Sequence, residues 1–217
     1  MDKSENKSME ESWIDSIEAL RSHYAMPSEM VKKKQLDKLD SYASQFIVLC
    51  PFALLATTDS NGGVDCSPRG DSPGFMQILN ERQLLLPDRP GNNRLDSLEN
   101  VIRCSAVGLL LLIPGFAECL RINGHARISV VPALLERCAH EGKPPRSVIV
   151  IDVAEVYFHC SKAITRSALW SAESQVPREV MPSLGRILMA QTAPGTAESE
   201  IQQIESQIAE RVRTQLY

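Results

Sequence analysis

Residues 84–98, LLLPDRPGNNRLDSL, constrain the fold of this chain more than any other stretch. Leu84, Leu85 and Leu86 form an apolar run of strand length, and Pro87, Pro90 and Gly91 then stop it and force a turn. A helix is predicted at once, because Leu95, Leu98, Val101 and Ile102 recur at helical spacing and Asn92 or Asn93 stands where a helix takes a side-chain cap. The unpaired amides of its first turn carry partial positive charge. Arg89 and Arg94 add two full charges, and Arg69, on the preceding strand, is placed to add a third. A helix terminus favours an anion by only about 0.3–1 kcal/mol at exposed sites, so the arginines must supply most of any affinity. Such a corner suits a phosphate monoester. The competing reading makes Arg89 and Arg94 solvated surface residues paired with Asp96 and Glu99.

With 217 residues the chain is one domain, or one domain with appendages, and large enough for a sizeable core. A hydrophobic content of 43% and a formal net charge of −4 describe an ordinary globular protein and argue against bulk binding to nucleic acid or an anionic membrane. The opening MDKSENKSMEESW has no apolar segment, and the longest apolar run, residues 106–113, is too short to span a bilayer; a cytoplasmic protein is expected. Cys50, Cys66, Cys104, Cys119, Cys138 and Cys160 contain no CxxC pair and the four histidines complete no zinc spacing, so no metal site and reduced, mostly buried thiols are expected.

Along the chain, Trp13, Ile14, Ile17 and Leu20 predict a first helix from Glu11 to Ser22, and a second, polar helix is expected through residues 32–39, its lysine run a solvated face. FIVLCPFALLATT, residues 46–58, has the composition of a strand interrupted by Pro51. TDSNGG closes it into a hairpin, so residues 64–68 return antiparallel and leave Arg69 at a strand end. Residues 107–113 and 118–129 read as a second hairpin across Pro114 and Gly115, with Leu120 and Ile122 facing one way and Arg121, Asn123 and His125 the other. His125 is read as a surface or interface residue rather than a general base, since the pattern places no nucleophile beside it. Residues 132–141 are predicted helical, residues 147–158 are the last convincing strand, and residues 182–217 are helical with a break at TAPGTAES. About six strands result.

SPRGDSPGF, LLLPDRPGNNRLDSL, VGLLLLIPG and LRINGHARI resemble, in that order, the sequence blocks of FMN-dependent proteins of the pyridoxamine 5′-phosphate oxidase-like superfamily. They are most similar to a branch of FMN-dependent enzymes with SPRGD and PDRPGN signatures. The resemblance implies a mainly β fold with flanking helices (α+β), a split β-barrel of antiparallel strands, and a homodimer with FMN in a groove between subunits. It places a helical extension over residues 1–44, the FMN-binding barrel over 45–170 and a second helical extension over 171–217.

Carried over residue by residue, the resemblance puts Asn93 and Arg94 where the oxidases hold the FMN phosphate with a basic pair, and Arg69 on the strand before them. Asn93 replaces one cation of that pair, and Arg89 is available to compensate. The backbone of Pro87 and Asp88 falls where the flavin ring or ribityl chain is met, and Cys119 where the oxidases use a glutamine toward the flavin. In HCSKAITRSALW, Lys162, Arg166 and Trp170 are expected to reach the flavin or substrate side of the groove; the alternative is a docked helix with Trp170 in the core and its cations exposed. The chain lacks the arginine-rich block with which true pyridoxamine phosphate oxidases hold substrate, so that substrate is not expected. No catalytic acid–base pair is identified, as fits chemistry carried by a cofactor. No GxxxxGK[ST] or strand-borne GxGxxG element supports a nucleotidase or a Rossmann dehydrogenase. Two functions follow: an FMN-dependent oxidoreductase acting on a small molecule, or a flavin- or haem-binding module for storage, sensing or regulation without turnover.

Overall fold

A computed structural model describes residues 13–217, in two compact units, a first that ends at Gln35 and a second, Leu36–Tyr217. The first unit carries helices α1 (Ile17–Ser22) and α2 (Glu29–Lys33). Each starts at a serine cap: Ser16 Oγ accepts from the Ala19 amide at 3.1 Å and Ser28 Oγ from the Val31 amide at 3.4 Å. The first expected helix is therefore shorter than its apolar spacing, with residues 11 and 12 outside the described residues. The second stops at Lys33, well short of Leu39.

The second unit is built on one antiparallel sheet of seven strands: β1 (Phe52–Thr58), β2 (Val64–Gly70), β3 (Gln77–Asn80), β4 (Gln83–Asp88), β5 (Ala106–Leu112), β6 (Cys119–Ser129) and β7 (Ser147–His159), in the order β2-β1-β5-β6-β7-β4-β3. Its helices are α3 (Ser41–Leu49), α4 (Asp96–Arg103), α5 (Pro132–Arg137), α6 (Lys162–Ser167), α7 (Leu184–Thr192) and α8 (Glu198–Thr214). The fold is the mainly antiparallel split barrel with flanking helices that the motifs imply. Among the described residues no helix is long and apolar enough to cross a membrane.

Alternation along the strands aims one face at a common interior. Leu55, Leu109, Leu111, Leu120, Ile122 and Ile151 are almost wholly buried there, each worth about 1.5–3 kcal/mol of transfer free energy. The consecutive apolar run of β4 and the start of β7 have a different cause. Leu84 and Leu86 enter the main core, while Leu85 joins Val148, Val150 and Cys138 in a second cluster, with Leu134 and Leu135 of α5 against it. Strands buried on both faces read as continuous rather than alternating apolar sequence.

Two expectations are corrected. Residues 46–49 lie in α3, not in a strand: Asp40 Oδ1 caps the helix by accepting from the Ala43 amide at 2.7 Å, and Ala43, Phe46 and Ile47 are buried on its inner face. Phe46 meets Phe116 and Phe158 edge-on, with ring centroids 6.1 Å and 5.6 Å apart. Pro51 disfavours helical backbone at Cys50, so the strand begins only at Phe52. The count is seven strands rather than about six, because β3, four residues on a sheet edge with no alternation in burial, carries no sequence signal.

In β6 the register with β7 shifts between Asn123 and Gly124. A Cβ on Gly124 would lie 2.2 Å from the Asp152 carbonyl oxygen, so the bulge requires glycine.

Candidate functional site

Two short segments that the strand order places far apart meet at the site. Arg69 and Asp71 flank the end of β2, and Asp88 and Arg89 flank the end of β4. Arg69 Nη1 donates to Asp88 Oδ1 at 3.1 Å, and Arg89 Nε donates to Asp71 Oδ2 at 2.7 Å. The pairs are crossed, each segment giving one cation and one carboxylate, and all four side chains are largely removed from solvent. Burial alone would push the Asp71 carboxyl up, but the Tyr217 hydroxyl, the Ser72 amide and Arg89 together hold it below the usual carboxylate range. Arg69 Nη2 donates to Ser67 Oγ at 3.2 Å, whereas its Nε is buried with no partner among the described residues.

These segments form one wall of a cleft of about 420 Å³; the turn at residues 89–95, the start of α4 and Arg146 form the rest. The turn is strained: Asn93 and Leu95 both adopt left-handed backbone, with φ 60° and 63°. Neither asparagine caps α4, contrary to expectation. Leu95 holds the cap position and offers no side-chain acceptor, so no side chain caps the first-turn amides of the helix. Asn92 Oδ1 instead accepts from the Arg94 amide at 3.0 Å, and Asn93 Oδ1 from Arg146 Nη1 at 3.2 Å. Beneath the cleft Ser97 Oγ donates to Asp65 Oδ2 at 2.5 Å and lies 2.9 Å from Ser67 Oγ, which ties α4 to β2.

Net charge in the cleft is smaller than the arginine count implies. Arg69 and Arg89 are engaged by carboxylates, and Arg94 pairs with Asp96 at 2.7 Å. The competing surface reading is thus right for the Arg94–Asp96 contact and wrong for Glu99, which pairs with Arg103. The Arg94 side chain is 76% exposed and free to swing; those of Arg69 and Arg89, at 17% and 16%, are not.

A family model described as pyridoxamine 5′-phosphate oxidase matches residues 39–160, more than half of the chain. The chain belongs to this family. Among curated proteins no sequence matches it. Solved structures similar to it include HupZ of Group A Streptococcus, 16% identical over 57% of this chain and 95% of that one with a TM-score of 0.46. An FMN-binding protein from Syntrophomonas wolfei is 11% identical over 65% and 95%, with a TM-score of 0.41. A Clostridium acetobutylicum protein related to general stress protein 26, of the pyridoxinephosphate oxidase family, is 10% identical over 55% and 86%, with a TM-score of 0.39. Identities and scores this low say nothing about a ligand of this chain.

Within this oxidase-family barrel, Arg69, Asp88, Arg89, Asn93 and Arg94 are brought together around the cleft. Pro87 is buried in β4 and borders a smaller adjoining cavity of about 230 Å³. The other four expected residues stand elsewhere. Cys119 begins β6 opposite His159, its thiol pushed up by burial and by Glu118. Lys162 and Arg166 are exposed on α6, and Trp170 Nε1 donates to the Phe116 carbonyl at 2.7 Å. Ser147 at the cleft and His159 beside Cys119 are the two ends of β7, whose 13 residues at a rise of about 3.3 Å each separate them by on the order of 40 Å along the strand. His125 lies outside the cleft, its Nδ1 3.2 Å from Ser105 Oγ.

Arg146 was not anticipated. It precedes β7, and the register Asp88↔Ser147 carries it beside the turn after β4. Only a prediction that β4 pairs with β7 would have found it.

Proposed function

We propose that this protein binds FMN with the flavin phosphate in the cleft bounded by Arg69, the 89–95 turn and the start of α4, and that it is an FMN-dependent oxidoreductase acting on a small molecule. One observation carries the reading: Arg69, Arg89, Arg94 and Arg146 line one cleft with a helix start whose first-turn amides no side chain among the described residues caps. An anion there would satisfy those amides and meet the cleft cations, and family membership supports a flavin as its source. Arg69 and Arg89 are held in place by carboxylates, so they are oriented before the ligand arrives. Arg94 and Arg146 close over the phosphate from the exposed side.

When bound, FMN supplies hydride or one-electron chemistry. The protein's part is to fix the phosphate, orient the ring and limit the access of water and oxygen. Cys119 pairs with the end of β7 remote from the cleft, and Lys162, Arg166 and Trp170 follow that end in the chain, an arrangement that suits a homodimer in which the flavin lies between subunits. The setting we infer is cytoplasmic, with no nucleic acid or membrane partner.

A second reading, a flavin- or haem-binding module without turnover, draws on the exposure of Lys162 and Arg166, which are not among the residues that line the cleft. The purified protein is mixed with FMN, freed of excess and examined by visible absorption and light scattering, with the released cofactor identified by chromatography. One FMN per chain in a dimer, lost in Arg94→Ala/Arg146→Ala, is the expected result. A folded protein without flavin overturns the proposal. Bound flavin that no small reductant or substrate reduces anaerobically favours the module.

A further inference from the structure

The segment that follows α8 returns to the seam between β2 and β4. The Tyr217 hydroxyl donates to Asp71 Oδ1 at 2.6 Å, and its ring stacks on His140, with centroids 3.8 Å apart and planes within 5°. The Arg89 guanidinium carbon lies 5.5 Å from the same ring centroid. His140 Nδ1 is 3.7 Å from Asp71 Oδ1, and the Ser72 amide donates to that oxygen at 2.7 Å. The Asp71 side chain is 2% exposed. Oδ1 is thus saturated, and only Oδ2 is left for Arg89.

An arginine beside a carboxylate tends toward a bidentate fork, two parallel N–H bonds to the two oxygens. Here Arg89 makes one, from Nε to Oδ2. Were Oδ1 open, an Nη group would turn to it, and the guanidinium would rotate toward Asp71 and away from the cleft that Arg89 lines. We infer that Tyr217 is a positioning residue: by occupying Asp71 Oδ1 it keeps the Arg89 pair single and leaves the two Nη groups directed at the ligand. The phosphate as ligand rests on the flavin reading; the geometry linking Tyr217, Asp71 and Arg89 does not.

The test compares wild type with Tyr217→Phe, which keeps the ring on His140 and removes only the hydroxyl. Affinities for FMN and for riboflavin, which lacks the phosphate, are measured in both, and again in an Arg89→Ala background. FMN affinity is expected to fall about 5–30-fold in Tyr217→Phe, the effect of one charge-assisted hydrogen bond. Riboflavin affinity is expected to stay within about twofold, and in Arg89→Ala the Tyr217→Phe change is expected to add nothing. Equal losses for both flavins, no loss for FMN, or a full loss without Arg89 overturns the inference. A wild type that binds neither flavin removes the flavin reading alone. The Arg89 guanidinium ¹⁵N resonances, assigned by Arg89→Lys, then decide: a shift and altered Nη exchange in Tyr217→Phe uphold the positioning role, and unchanged resonances overturn it.

Discussion

Arg69 and Asp88 sit on strands separated by four others in the sheet order, yet their side chains meet at 3.1 Å. The sheet must curl through most of a turn for this to happen, and the crossed partner pair, Asp71 with Arg89, fastens the same place. The RGD and PDR triplets therefore have a structural role of their own. Each carries one cation and one carboxylate in opposite order, so the two pair crosswise, and the cleft forms where they meet.

Asp71→Asn should destabilise the protein by about 3 kcal/mol, because it leaves the buried side of Arg89 without its counter-charge. Arg94→Ala should change stability by less than about 0.5 kcal/mol, since its partner and it are solvent-exposed. Urea denaturation of the two variants against wild type measures both values. Equal losses would show that exposure does not separate these pairs.

The Asp71 carboxyl is held below its ordinary value of 3.8. A group depressed in the folded state adds stability above its unfolded value and loses it as the pH falls through the folded value. The difference in melting temperature between wild type and Asp71→Asn should thus be level from about pH 5 to 7 and shrink below about pH 4. A gap that persists undiminished to acid pH would contradict the assignment.

Gly124→Ala should cost about 3 kcal/mol or more, since the added carbon would stand 2.2 Å from a backbone oxygen of the neighbouring strand. Gly91→Ala, where a Cβ meets nothing within 4 Å, serves as the control and should be close to neutral. Chemical denaturation midpoints compare them.

Leu95→Gly should stabilise the chain by roughly 0.5–1 kcal/mol, because a half-exposed leucine at φ 63° pays the left-handed penalty and glycine does not. Leu95→Ala keeps the penalty and should show no gain. A glycine variant less stable than wild type would mean that the leucine side chain contributes more than its backbone costs.

Much of the barrel was legible because its signals are local. TDSNGG encodes its own turn: Asp59 Oδ1 accepts from the amides of Asn61 and Gly63, both at 2.7 Å, and β2 returns as expected. The alternation of residues 119–129 gave β6 its inner and outer faces. What failed was set at a distance. Ile47 and Val48 favour a strand by composition, and α3 wins because its inner face is buried by the barrel. β3 is too short and too near an edge to carry a pattern. At the site, the basic turn after Leu86 was readable from its prolines and arginines. The crossed ion pairs, Arg146 and Tyr217 were not, because each depends on which strands the curl brings together.

β2, one margin of the sheet, is joined to β4 at the cleft by side chains and not by a backbone ladder, since β2 pairs only with β1 and β4 only with β7 and β3. Elsewhere, parting two strands means breaking a row of cooperative amide bonds. Here it means breaking two ion pairs. The barrel thus has a built-in line of first failure, and it runs through the cleft: salt, acid or a competing anion can unzip this edge while the rest of the sheet stays intact. Hydrogen exchange should find β2 opening ahead of β6 and β7.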